Sequence, residues 1–432
     1  MANPVKFLSG AALAVAAIGA APFGLAPSPA VARGASSSAA VADFYRARGG
    51  APLWFSPRSG NAAQQLLMLL STARADNLNP NRYNVKGVAR AIQAAQRGDV
   101  QRAELVLSQA FVAFVHDVKR DPGGVIYVDP ELKPSAPSVS TLLATAASAP
   151  NLADYVENEG WMNPIYGKLR LALASRLYRS ERERALLALN LERARALPAG
   201  GGRYAVVNAP AARLYMYENG RVVDSMRVVA GRPDPIAQTP MMNAYIRYVA
   251  LNPYWNSPAD ITAKRLAPTI LKEGRAYFRK RGYELLSDWS DHPRVIDPMS
   301  IDWRAVAAGR VQARLRQKPG PANSMGKMKF MFPNAQGIWL HDTPEQEKID
   351  EAARLQSNGC VRLEDAARFA RWLFNGRPPR PQGARPEQKV NLPSPVPVYL
   401  TYLTAVPSGT SIVYFDDFYG KDRARLSRLA SL

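Results

Sequence analysis

Cys360 is the chain's only cysteine, and it stands in Ser357-Asn358-Gly359-Cys360-Val361-Arg362, nineteen positions after His341. A thiol attacks carbonyl carbon only as thiolate, and with an ordinary pKa of roughly 8.5 only a few per cent is ionised near neutrality. A histidine brought beside it can take the proton. Gly359 lets the backbone approach a substrate carbonyl, and the N–H groups around Gly359 and Cys360 can form an oxyanion hole. A helix expected from about Leu363 would add its positive end near the sulfur. One Cys and one His at this separation are weak evidence alone, and a small buried hydrophobe is the competing reading of Cys360. What favours chemistry is the context: a strand ending at His341, a Ser-Asn-Gly-Cys turn, then a helix.

These residues must be positioned by a strand-rich second half. Tyr204 to Asn208 is a short apolar run. Leu214 to Tyr217 and Val222 to Val229 flank Glu218-Asn219-Gly220, a hairpin signal because Asn-Gly accepts positive φ. Tyr245 to Asn252 reads as a further strand. Lys327 to Phe332 and Gly337 to His341 form a second hairpin across Pro333-Asn334. Leu363 to Phe374 reads as an amphipathic helix closed by Asn375-Gly376. Pro395 to Thr404 and Ser411 to Phe415 are expected to pair as the last strands. From Val41 to Pro198 the apolar spacing is helical instead, as in Leu66 to Leu70, Leu107/Phe111/Phe114/Val118 and Leu169 to Leu191. His116 lies on an apolar helix face and reads as structural. The fold class is therefore α+β: a helical scaffold domain over 41–198, then a β-rich catalytic domain over 200–420. An insertion over 256–326 interrupts the strands. It is read as a lid, with a surface excursion as the alternative.

Charge and the N-terminus bound the partners. The net charge is +21, which favours polyanions such as nucleic acid, anionic lipid or acidic wall polymer. Much of the excess lies in 261–330, with 15 Lys/Arg against 6 Asp/Glu. Lys6 is followed by an apolar, Ala-rich run and by Ala30-Val31-Ala32, an A-x-A cleavage site. Residues 1–32 thus read as a signal peptide, with an uncleaved anchor near the inner membrane as the alternative, and 33–40 as a flexible lead-in. Export to the periplasm or cell envelope excludes nucleic acid as a partner. It also makes an unpaired thiol a liability that asks for a reason.

The combined pattern closely resembles the L,D-transpeptidases: a His, fourteen to seventeen residues, then Ser/Thr-His-Gly-Cys, an apolar residue and Asn or Arg. Asp342 to Gln356 supply fifteen intervening residues. Asn358 departs from the family's His, and Asp342 from a frequent Gly. His341-Asp-Thr-Pro, Asn208-Ala-Pro, Asn252-Pro-Tyr-Trp-Asn, Pro319-Gly-Pro-Ala-Asn and Lys329-Phe-Met-Phe-Pro-Asn resemble the large periplasmic subgroup with a helical scaffold and a capping insertion. A small peptidoglycan-binding module common there has little room between Tyr155 and Leu191. The resemblance implies that Cys360 attacks a tetrapeptide stem after the L-centre of diaminopimelate, releasing D-Ala and leaving a thioester. His341 is the implied base, and it then activates the amine of a second stem to give a 3→3 crosslink. A backbone carbonyl around Asp342 is the implied orienting group. Ser357, Asn358 and Arg362 either shape the turn or, for Arg362, contact a carboxylate of the donor stem. Tyr254 and Trp255 either line the donor cleft or pack as core.

Competing chemistries fare worse. Ser324-Met-Gly-Lys327 matches the Ser-x-x-Lys of penicillin-binding proteins but has no Lys-Thr-Gly partner. No metal or other cofactor is called for: His116, His292 and His341 are far apart, and no His-Glu-x-x-His occurs. The same thioester could instead be resolved by water or another amine, giving an L,D-carboxypeptidase, an endopeptidase or a protein-to-peptidoglycan ligase. A non-catalytic wall-binding scaffold is the reading from a different class.

Overall fold

The computed structural model describes residues 29–430, so the signal-peptide reading falls almost wholly outside the described residues. The helical part comprises α1 (Pro29–Ala47), α2 (Ala62–Ser71), α3 (Val85–Gln96), α4 (Val100–Val118), α5 (Val139–Ser148), α6 (Leu152–Glu157), α7 (Pro164–Ala174) and α8 (Glu181–Ala194). Their starts follow local chemistry: Ser138, Asn151, Asn163 and Ser180 each accept a hydrogen bond from a first-turn N–H, and Pro164 sits at the position that needs no donor. Residues 33–40, expected to be a flexible lead-in, continue helix α1. Ala35, Ala39 and Ala40 favour a helix there, and Val41 and Tyr45 anchor it by burial. The Tyr45 hydroxyl donates to the Glu104 carboxylate at 2.6 Å, and that buried group also accepts the N–H groups of Leu53, Trp54 and Phe55. One carboxylate on α4 thus satisfies a whole turn of backbone that would otherwise be buried unpaired. Among the described residues no helix is long and apolar enough to cross a membrane.

The second half is a sheet closed on itself. β1 (Ile126–Tyr127) comes from the helical part, followed by β2 (Arg203–Asn208), β3 (Arg213–Glu218), β4 (Arg221–Gly231) and β5 (Met242–Leu251). After the insertion come β10 (Met328–Met331), β11 (Leu340–His341), β12 (Leu355–Ser357), β13 (Val361–Leu363) and β14 (Gln388–Thr401); β6 to β9 belong to the insertion. The order runs β1-β5-β10-β11-β13-β4-β3-β2-β14, and β14 returns to pair with β5. Closure leaves few open edges. The β3–β4 hairpin turns at Asn219 and Gly220, with φ of +49° and +77°. Inward residues such as Val207, Met216, Val228, Ile246, Leu340 and Val398 fill the interior, capped by Phe369 from the helix Ala366–Leu373.

Two sequence expectations are corrected. The helix after the cysteine does not begin at Leu363: Val361–Leu363 is β13, held between β11 and β4, and the helix begins at Ala366. The capping residue is Asp365, whose side chain accepts the Arg368 N–H. Likewise 395–404 does not pair with 411–415 beyond one bond at its end, from the Phe415 N–H to the Thr404 carbonyl. Most of the former lies in β14 between β5 and β2, while β15 (Ala405–Ser408) and β16 (Ser411–Tyr414) form their own small hairpin.

The insertion folds around its own core of Leu266, Ile270, Phe278, Leu285, Trp303 and Leu315. Its sheet runs β6 (Trp255–Asn256), β9 (Arg314–Gln317), β7 (Tyr283–Leu286), β8 (Val295–Ile296). Buried Asn323 ties its two ends together by donating to the carbonyls of Pro253 and Lys318. The helical part grips the barrel as well. Asn243 on β5 donates to the Ala196 carbonyl just past α8, while Asn190 on α8 exchanges hydrogen bonds with Thr404 after β14 and Arg193 pairs with buried Asp422 of the C-terminal helix Lys421–Ala430.

Candidate active site

Neighbouring strands β10, β11 and β13 place Lys329, His341 and Arg362 in one register, Lys329 opposite His341 and His341 opposite Arg362. Side chains at paired positions emerge on the same face, so the imidazole is flanked by two cations. Cys360 precedes Arg362 by two residues and returns to that face one diagonal step from His341. Val361 N–H donates to the Trp339 carbonyl at 2.8 Å, which fixes the turn against β11. The thiol lies 3.5 Å from the Gly337 carbonyl, and Cys360 is partly exposed.

His341 is buried, and its Nδ1 lies 2.6 Å from the carbonyl oxygen of Asp342. That contact makes Nδ1 the protonated nitrogen and leaves Nε2 as the base. Burial first, then the charge of Arg362, push the imidazole pKa down to about 3; the Asp342 carbonyl works in the opposite direction and Lys329 adds to the depression. Burial pushes the Cys360 thiol up, opposed by the Trp339 backbone N–H and by Lys329 and Arg362. At neutral pH the resting pair is therefore thiol and neutral imidazole, with two cations set to stabilise a thiolate once it forms.

The turn is built by its own residues. The Ser357 hydroxyl donates to the Cys360 carbonyl and accepts the Gly359 N–H at 3.1 Å. Gly359 sits at φ +108°, and a Cβ there would lie 2.8 Å from Ile338 Cδ1. Thr239 donates to the Gly359 carbonyl at 2.8 Å and accepts the Gly231 N–H at 2.9 Å, so the 232–239 loop cradles the turn from beneath.

Several expected roles change in detail. The Gly359 N–H is committed to Ser357, so it does not point into an oxyanion hole. Asn358 shapes the turn by accepting from Arg232 and from Arg265, the latter at 3.3 Å. Arg362 is mostly buried, and the carboxylate it holds is that of Glu345 at 2.7 Å. The Asp342 side chain accepts the Lys327 N–H at 2.7 Å and braces the strand turn. Tyr254 lies under the Arg316 guanidinium at 4.3 Å, and Trp255 packs on Tyr283 in the insertion. Both belong to the root of the insertion. His116 Nε2 lies 3.0 Å from the Pro137 carbonyl, in a structural contact. Ser324 lies in a turn, where its N–H is held by Gln317, and not at a helix start.

The sequence pattern does not single out Lys329, Arg232, Arg265, Thr239 or Glu345. Only Lys329 carried a signal, because it stands in the strand paired with the one ending at His341. The other four reach the site from loops and the insertion through long-range packing.

Comparisons with known proteins agree with this geometry. Residues 202–390 match the YkuD family, described as the L,D-transpeptidase catalytic domain, and residues 39–173 match a scaffold domain. A Haemophilus influenzae protein provisionally named an L,D-transpeptidase is 26% identical over 398 residues, covering 89% of this chain and 78% of its own length. With a YkuD catalytic domain joined to that scaffold, the chain belongs to the L,D-transpeptidase family.

Proposed function

We propose that this protein forms 3→3 peptidoglycan crosslinks through a thioester on Cys360. The observation that carries the proposal is the shared register of Lys329, His341 and Arg362 beside Cys360, with His341 Nδ1 anchored on the Asp342 carbonyl.

In the first half-reaction Nε2 of His341 takes the thiol proton as sulfur attacks the carbonyl that links diaminopimelate to the terminal D-Ala. A C–S bond forms, and the C–N bond breaks as the imidazolium returns its proton to the departing D-Ala amine. In the second half-reaction Nε2 deprotonates the side-chain amine of an acceptor stem, which attacks the thioester and expels the thiolate. The low basicity of the resting imidazole comes from burial and two cations. An incoming anionic stem offsets those cations, so the base strengthens when substrate is present. The Trp339 N–H, which faces the sulfur, is better placed to donate to the reacting group than the committed Gly359 N–H.

In this reading residues 41–198 act as the scaffold, 200–420 as the catalytic domain and 256–326 as the cap over the cleft. The N-terminal segment directs the chain to the periplasm, where stem peptides are both donor and acceptor. Purified protein with tetrapeptide muropeptides should yield free D-Ala together with 3→3 dimers, and Cys360→Ala should yield neither. Tripeptide and D-Ala without dimer would overturn transpeptidation in favour of carboxypeptidase activity. Intact mass after a carbapenem should show one adduct, absent from Cys360→Ala.

A further inference from the structure

We propose that Arg232 and Arg265 form a carboxylate receptor beside Cys360, in which a substrate carboxylate takes the place held by the Asn358 side-chain oxygen. Both guanidiniums donate to that single oxygen, Arg265 at 3.3 Å. An amide oxygen is neutral, so it does little to offset two like charges brought to one point. Among the described residues neither arginine is ion-paired, while nearby Arg227, Arg316 and Arg362 each hold a carboxylate. Each guanidinium carries five N–H donors and therefore keeps several free. A carboxylate offers two charged oxygens, which suits two guanidiniums better than one amide does.

The two arginines come from different parts of the chain. Arg232 follows β4, and its backbone N–H donates to the Ser357 carbonyl at 3.0 Å, so it is fixed to the turn. Arg265 is exposed on the π-helical segment Thr262–Leu266 of the insertion. An anion shared between them would tie the insertion to the cysteine turn as it binds, coupling recognition of charge to coverage of the site. The identity of the anion as a stem peptide rests on the L,D-transpeptidase reading; the receptor itself rests on the two contacts.

The test compares alkylation of Cys360 by iodoacetate and by neutral iodoacetamide, read by intact mass. Arg265→Gln and Arg232→Gln should each lower the iodoacetate-to-iodoacetamide rate ratio about three- to fivefold, the scale of a partly exposed charged contact. Lys264→Gln, which removes an adjacent exposed charge, should leave the ratio unchanged. A ratio untouched in Arg265→Gln, or lowered equally in Lys264→Gln, overturns the receptor. The exposed position of Arg265 makes that variant safe for folding. With tetrapeptide, Arg265→Gln should raise KM by a similar factor. Substrates amidated at the terminal D-Ala or at diaminopimelate distinguish the source: the relevant amide raises KM in the unaltered protein, and Arg265→Gln then adds nothing. If neither amide behaves so, the receptor serves no stem carboxylate and the proposal falls. Failure of the unaltered protein to release D-Ala would sink the L,D-transpeptidase reading while the alkylation result still decides the receptor.

Discussion

Gly359→Ala gives the sharpest test of how the cysteine turn is held. At φ +108° an alanine pays backbone strain of about 1–3 kcal/mol. Its Cβ would also stand 2.8 Å from Ile338 Cδ1, with the Gln238 carbonyl next at 3.4 Å, an ordinary contact. Overpacking of this kind costs a further ~1–3 kcal/mol, so the sheet's unfolding should lose about 2–6 kcal/mol in total. The two contributions separate by trimming the neighbour. Ile338→Val removes Cδ1 and, in the native background, should cost about 0.5–1.5 kcal/mol because Ile338 is buried. In the Gly359→Ala background the same change should instead restore about 1–2 kcal/mol, because it relieves the clash. Urea unfolding of the four proteins, with Cys360 alkylation as a local readout, gives the cycle. If Ile338→Val is equally destabilising in both backgrounds, the contact with Ile338 does not hold the turn and the reasoning is wrong.

Other outcomes follow from the charges and hydrogen bonds around the site. His341 is protonated below roughly pH 6.5 when unfolded but only below about 3 when folded. Between those values the unfolded state binds more protons, so stability falls on acidification, by at most about 5 kcal/mol. Acid unfolding of His341→Gln should be correspondingly shallower, and parallel curves would count against the buried neutral imidazole. Lys329→Met removes a charge that lowers the Cys360 pKa, so the alkylation-versus-pH profile should move to higher pH; an unmoved profile or a shift to lower pH would contradict this. Thr239→Val deletes the bridge between Gly231 and Gly359 and should cost about 1–3 kcal/mol. Faster hydrogen exchange should be confined to the cysteine turn and the 232–239 loop, and unchanged exchange would show that the bridge is dispensable.

What the sequence revealed tracks how local the physics is. The Asn219-Gly220 hairpin and the Asn375-Gly376 helix stop are visible because positive φ has a small set of residues that tolerate it. His341 and Cys360 are visible because their types are rare and their spacing fits a motif. The helix start cannot be read from the residues near 363, because Val361-Arg362-Leu363 suits either element and only pairing with β4 and β11 decides it. The partner of residues 395–401 was equally invisible, since strand choice is a long-range matter. Arg265 could not be linked to Asn358 without the fold of the insertion, which carries it across many intervening residues to the turn.

The placement of β14 has a consequence for the order in which the molecule becomes competent. This strand bridges β2 and β5 and closes the ring, yet it follows Cys360 in the chain. During synthesis, which runs from the N-terminus, the thiol and its base are made before the strand that completes the wall behind them. The helical part gathers its own core early, apart from Ala405, and waits with β1 as a docking edge for β5. Assembly of the nucleophile's surroundings is thus a late event, timed by the arrival of the chain's last long strand. A protein truncated before Gln388 should keep its helices while its cysteine reacts like an ordinary exposed thiol.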